Sequence, residues 1–111
     1  MNHEKLDCFR QLMALAEDLA KRVAKWPRGN GFLADQLNRA MSSAVLNLAE
    51  GNGKRAYGRE RRRFFQIALG SLAETSAALD LARAFGLMPA VQQEALKSRL
   101  KLAYVKIEAL P

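Results

Sequence analysis

The chain has 111 residues, half of them hydrophobic and 26% charged, a balance that suits one globular domain over residues 1–111 and not a disordered tail. Lys and Arg outnumber Asp and Glu by 18 to 11, giving +7 at pH 7 and a surface suited to nucleic acid, an acidic protein face or anionic lipid. One cysteine (Cys8) and one histidine (His3) exclude an internal disulfide framework and a His/Cys zinc site, and no apolar run approaches the roughly 18 residues of a membrane span.

Apolar residues at helical spacing and breaks rich in Gly and Pro predict an all-α, up-and-down four-helix bundle, with helices at about 5–26, 32–50, 59–85 and 90–109. In the first segment Leu6, Phe9, Met13, Ala16, Ala20 and Val23 form a stripe that Leu12, Leu15 and Leu19 widen. Pro27-Arg28-Gly29-Asn30-Gly31 ends it, with Trp26 as an expected anchor at the end of the core. The second segment carries Leu33, Leu37, Ala40, Met41, Ala44, Val45 and Leu48. Beside them Gln36, Arg39, Ser43, Asn47 and Glu50 fall three or four apart as a polar seam. Ser71 and Glu74 continue the seam on the third segment, where Arg39 and Glu74 are placed to pair across helices and the other members to fix register by hydrogen bonds.

The second break, Gly51-Asn52-Gly53 to Gly58, leads into Lys54-Arg55-Ala56-Tyr57-Gly58-Arg59-Glu60-Arg61-Arg62-Arg63. Six of these ten residues are basic and one is acidic, so most of the surplus charge sits in one loop and the helix start after it. Cations at a helix N-terminus oppose its dipole, so helix stability does not account for them. Lys54, Arg55, Arg59, Arg61, Arg62 and Arg63 are candidates for gripping phosphate, with Tyr57 able to stack on a base; a solubilising loop is the competing reading. The run Gly51-Asn52-Gly53-Lys54 lacks the spacing of a phosphate-binding loop.

The third segment has more apolar surface than one core needs. Phe65, Ala68, Leu72, Leu79 and Ala82 form one stripe; Phe64, Ile67, Ala78, Leu81 and Phe85 form a second. Either this helix sits more centrally than the others, or Phe64, Ile67, Leu81 and Phe85 belong to an interface with another copy of the chain. Gly70, inside the helix, is expected to permit close helix–helix approach. After Gly86-Leu87-Met88-Pro89 the last segment gives Leu96, Leu100, Ala103, Ile107 and Leu110. No nucleophile–base pair, Glu-x-x-His repeat or metal-ligand cluster accompanies these elements, so neither catalysis nor a cofactor is expected.

Three blocks resemble a known family in order and spacing: Gln36-x-x-Arg39-Ala40, Asn47-x-Ala49-Glu50-Gly51, and Ile67-Ala68-x-Gly70-Ser71-x-x-Glu74. They are similar to the four-helix-bundle proteins of the 23S rRNA intervening-sequence family, itself related to the accessory variability protein of diversity-generating retroelements. The resemblance implies a ring-shaped homo-oligomer, commonly a homopentamer, without established enzyme activity. It also implies a bacterial source and work beside RNA, DNA or a reverse transcriptase, while the single cysteine and the lack of a membrane span predict a cytoplasmic location. The expected function is therefore a non-enzymatic oligomer that binds nucleic-acid backbone, or a nucleic-acid-bound partner, through its basic loop. A scaffold oligomer without nucleic-acid binding is the alternative.

Overall fold

The computed structural model describes residues 1–111 and contains four α-helices and no strands. After a 3-10 turn over Asn2–Lys5 come α1 (Asp7–Val23), α2 (Gly31–Asn52), α3 (Arg59–Ala84) and α4 (Ala90–Glu108). Successive helices run antiparallel. Along α2 and α3 the contacts Phe32 to Phe85, Ser43 to Ser71 and Gly51 to Phe65 step upward in one helix and downward in the other. The α2–α3 pair is the most extensively packed, and α1 against α4 closes the bundle into a body of 44 × 23 × 21 Å.

The ends of α1 differ from expectation for local reasons. Residues 2–5 take the tighter 3-10 form, and Leu6 is extended before α1 begins. At the other end Lys25 and Trp26 donate their N–H groups three residues back, to Arg22 and Val23, closing the helix as a turn. Pro27 disfavours helical backbone at Trp26. Trp26 packs, half-buried, against the core as anticipated.

The end of α3 follows from Gly86. Its φ of +75° suits a residue without Cβ; its N–H reaches Arg83 and that of Leu87 reaches Ala82, satisfying the last carbonyls before Pro89 opens α4.

The core is a continuous cluster led by leucines: Leu12, Leu15 and Leu19 from α1, Leu33, Leu37 and Leu48 from α2, Leu72 and Leu79 from α3, and Leu96, Leu100 and Ile107 from α4. In α1 the centre of the buried stripe is Cys8, Leu12, Leu15 and Leu19; Met13 and Ala20 face outward, while Leu6, Phe9, Ala16 and Val23 flank it. Burial pushes the Cys8 thiol above its usual range. All five residues of the first α3 stripe are buried, but of the second only Ala78 is.

Two glycines exchange the roles the sequence suggests for them. Gly51 does not break α2 but lies inside its last turn, where an added Cβ would stand 2.7 Å from Cδ1 of the buried Phe65. Gly70 is exposed on α3, with nothing within 4 Å of where its Cβ would be. The close approach in this chain is therefore made at Gly51.

Candidate nucleic-acid interface

The basic end of the bundle is built from the last turn of α2, the loop 53–58 and the first turns of α3. The last carbonyls of α2 have no partner within their own helix, and the negative end of its dipole points at this loop. Arg61, in the first turn of α3, meets that need. One guanidinium nitrogen donates to the carbonyls of Asn52 and Lys54 at 3.2 Å and more distantly to Gly51, and the other reaches Asn52 Oδ1 at 3.4 Å. The central carbon of the guanidinium lies 4.9 Å from the Phe65 ring centroid. Only 8% of Arg61 remains exposed, and no carboxylate pairs with it. Arg61 is thus the C-terminal cap of α2 and not a free phosphate ligand, a correction to its place among the six candidates.

The other five divide into two groups. Lys54 lies 3.7 Å from Glu50 and sits over Phe64, and Arg63 stacks 5.1 Å from the same ring. Phe64 is therefore half-buried beneath two cations and presents no bare apolar face for an interface. Arg55, Arg59 and Arg62 are exposed and form no ion pair; Arg63 is exposed along one side of its stack. A second basic group, Lys21, Arg22, Lys25 and Arg28 near the α1–α2 connection, lies at the other end of α2, about 33 Å away along a 22-residue helix. There Arg22 is held by Asp18 at 2.8 Å.

Tyr57 occupies the centre of the loop. Gly58 N–H donates to Arg55 at 3.0 Å, closing a four-residue turn whose third position is Tyr57, and Tyr57 has a φ of +61°. That region is costly for a bulky side chain. Gly58 closes the turn tightly: an added Cβ there would stand 2.9 Å from the Arg55 carbonyl oxygen, so a side chain at 58 forces the turn to shift. Tyr57 N–H donates at 2.6 Å to the backbone oxygen of Pro111, tying the turn to the residues that follow α4.

The polar seam is partly internal. Ser71 Oγ donates to Ser43 Oγ at 2.7 Å, and Asn47 Nδ2 donates back to Ser43. Thr75, absent from the seam as read from the sequence, is wholly buried and donates to the Ser71 carbonyl at 2.8 Å. Threonine carries little apolar signal of its own. The clue to it is position: Thr75 falls between Leu72 and Leu79 on the buried stripe, and four residues after Ser71. Gln36, Arg39, Glu50 and Glu74 instead face solvent, and Arg39 and Glu74 form no ion pair. Beside them lies an apolar stripe of Ile67, Leu81 and Phe85, between 41% and 50% exposed, which Phe32 extends at 6.1 Å between its ring centroid and that of Phe85.

No group of His, Cys, Asp and Glu is placed to hold a metal ion, and no helix is long and apolar enough to cross a membrane. The family model of the 23S rRNA-intervening sequence proteins matches residues 4–108. No curated protein matches the chain.

Proposed function

The chain belongs to the 23S rRNA-intervening sequence protein family, and from that premise we propose that it acts without catalysis, as a ring-forming homo-oligomer that binds nucleic-acid backbone through its basic end. The observation that carries the reading is the set Arg55, Arg59, Arg62 and Arg63, exposed at one end of the bundle without acidic partners. Cations that neither pair nor support their own helix are free to meet an external anion, and guanidinium groups match phosphate oxygens in pairs. Arg61 contributes indirectly, by fixing the loop from which they project.

The exposed stripe Ile67, Leu81, Phe85 and Phe32, with the unpaired Arg39 and Glu74 beside it, supports self-association. Opposite charges facing the same solvent at one level of the helix pair can meet their complements on a neighbouring copy. A homopentameric ring would repeat the basic end once per subunit, and several weak phosphate contacts would then act together. A nucleic-acid-bound protein, such as a reverse transcriptase, would be met through the same complex.

Light scattering at micromolar concentration tests the assembly: a monomer of 12.3 kDa overturns the ring. Binding to generic single- and double-stranded RNA and DNA across a salt series tests the interface. Converting Arg59, Arg62 and Arg63 to Ala lowers low-salt affinity by about tenfold or more and flattens the salt slope by roughly 2 to 3, given about 0.7 to 0.9 per phosphate neutralised. Affinity no better than about millimolar, or unchanged in this variant, removes nucleic acid and leaves the scaffold.

A further inference from the structure

We propose that Tyr57 is a stacking platform for an unpaired base, so that the nucleic acid bound at the basic end is single-stranded. The inference rests on the reading of that end as a phosphate-binding surface and adds the class of strand it takes.

Folding alone gives no reason for a tyrosine at this position. Tyr57 is 79% exposed, so its ring adds little to the core. Its backbone holds φ at +61°, where Gly or Asn is favoured and an aromatic residue is strained. Neither burial nor local propensity selects tyrosine here, and such outliers concentrate at ligand contacts.

The loop also anchors the backbone from which the ring projects. Tyr57 N–H is fixed to Pro111, Gly58 N–H to Arg55, Lys54 N–H to Gly51, and the Lys54 carbonyl to Arg61. An aromatic side chain on an anchored turn has few states to lose when a flat partner settles on it. Exposed cations flank it in the chain: Arg55 precedes it by two residues, Arg59 follows by two, and Arg62 lies one helical turn beyond Gly58. Arginines on a backbone with a projecting ring between them match a strand whose bases are free to turn outward, whereas a duplex keeps its base faces stacked inside. A duplex would meet the same arginines but leave the tyrosine idle.

The test uses the full chain, an unstructured single strand of about 12 nucleotides as RNA and as DNA, and a duplex of the same length. Tyr57→Ala loses about 5- to 100-fold in affinity for the single strand, keeps the duplex affinity, and leaves the salt slope unchanged. Tyr57→Phe retains single-strand affinity within about twofold, since the ring remains. Tyr57→Asn accepts the positive φ, so it melts at the same or a higher temperature while losing single-strand affinity as Ala does. If Asn restores binding, the turn and not the ring matters, and the inference falls. Equal losses on single strand and duplex for Tyr57→Ala also overturn it. A wild-type chain that binds duplex alone overturns the inference while sparing the phosphate-binding reading; one that binds neither strand at low salt overturns both.

Discussion

The two ends of α3 use charge in opposite ways. Near its C-terminus every charge has company: Asp80 accepts from Lys97 at 2.8 Å and from Gln93 at 2.6 Å, and Arg83 donates to the same Gln93. At its N-terminus Arg59, Arg62 and Arg63 have no carboxylate partner, and Arg61 is folded away beneath the loop. The far end staples α3 to α4; the near end holds cations in reserve. Four arginines in a run of five residues thus have different roles, and counting charges does not separate them. Partners and burial do.

The largest way to break this contrast is to treat Arg61 as one more surface cation. Replacing it with Ala leaves the carbonyls of Gly51, Asn52 and Lys54 without their shared donor and opens space against Phe65. The expected loss in urea denaturation is about 2–4 kcal/mol. Arg62→Ala, one position away and exposed, changes stability by no more than about 0.5 kcal/mol. Arg61→Lys recovers part of the loss, because an ammonium reaches carbonyls but cannot lie flat along the ring. Equal stabilities for the Arg61 and Arg62 variants would erase the distinction between cap and reserve.

Gly51 and Gly70 give the next contrast. Gly51→Ala forces a methyl to within 2.7 Å of Phe65, a buried ring with little room to retreat, and costs about 1–3 kcal/mol. Gly70→Ala meets nothing in the single chain and stabilises the exposed helix by up to about 1 kcal/mol. Thermal melts at a concentration where the chain is monomeric measure both signs. A loss of assembly in Gly70→Ala alongside that gain would put the glycine in a contact between copies.

These pairs also mark what the sequence made legible. Helix number, type and core stripe follow from periodicity, because burying one face of a helix imposes the spacing itself. Which glycine is crowded does not: the sequence reads Gly51 as part of a break and Gly70 as the close approach, and the reversal is made by Phe65, fourteen residues from Gly51 and in the next helix. The basic run was visible as composition, yet the burial of Arg61 depends on where the α2 carbonyls end. Arg39 and Glu74 show the converse failure: seam spacing suggested a pair, but both side chains point outward from the α2–α3 contact. Helix spacing locates a stripe, and only the packed neighbour decides whether the stripe is covered.

The smallest expected effect sharpens the stapled side of the comparison. Partial burial pushes the Asp18 carboxyl upward, but hydrogen bonds from Arg99 at 2.6 Å and Arg22 at 2.8 Å outweigh it and leave its pKa below the usual value. Asp80 is lowered chiefly by its bond to Lys97, which outweighs the opposing effect of burial, and further by Gln93. A carboxylate with a depressed pKa in the folded chain adds stability above its unfolded pKa of about 3.9, and that stability disappears as pH falls through the folded value. Asp18→Asn should therefore cost up to about 1 kcal/mol at neutral pH, the modest size reflecting a side chain still 31% exposed. The gap from wild type should stay level between about pH 5 and 8 and close below about pH 4. Urea midpoints across that range read it directly, and a gap that widened in acid would reverse the sign. Salt separates the two ends as well: it screens the Asp18 and Asp80 pairs, but it relieves repulsion among Arg55, Arg59, Arg62 and Arg63. The Asp18→Asn deficit should shrink with added salt, whereas the gain from Arg62→Ala, where the removed charge was only repelled, should shrink from the opposite side of zero.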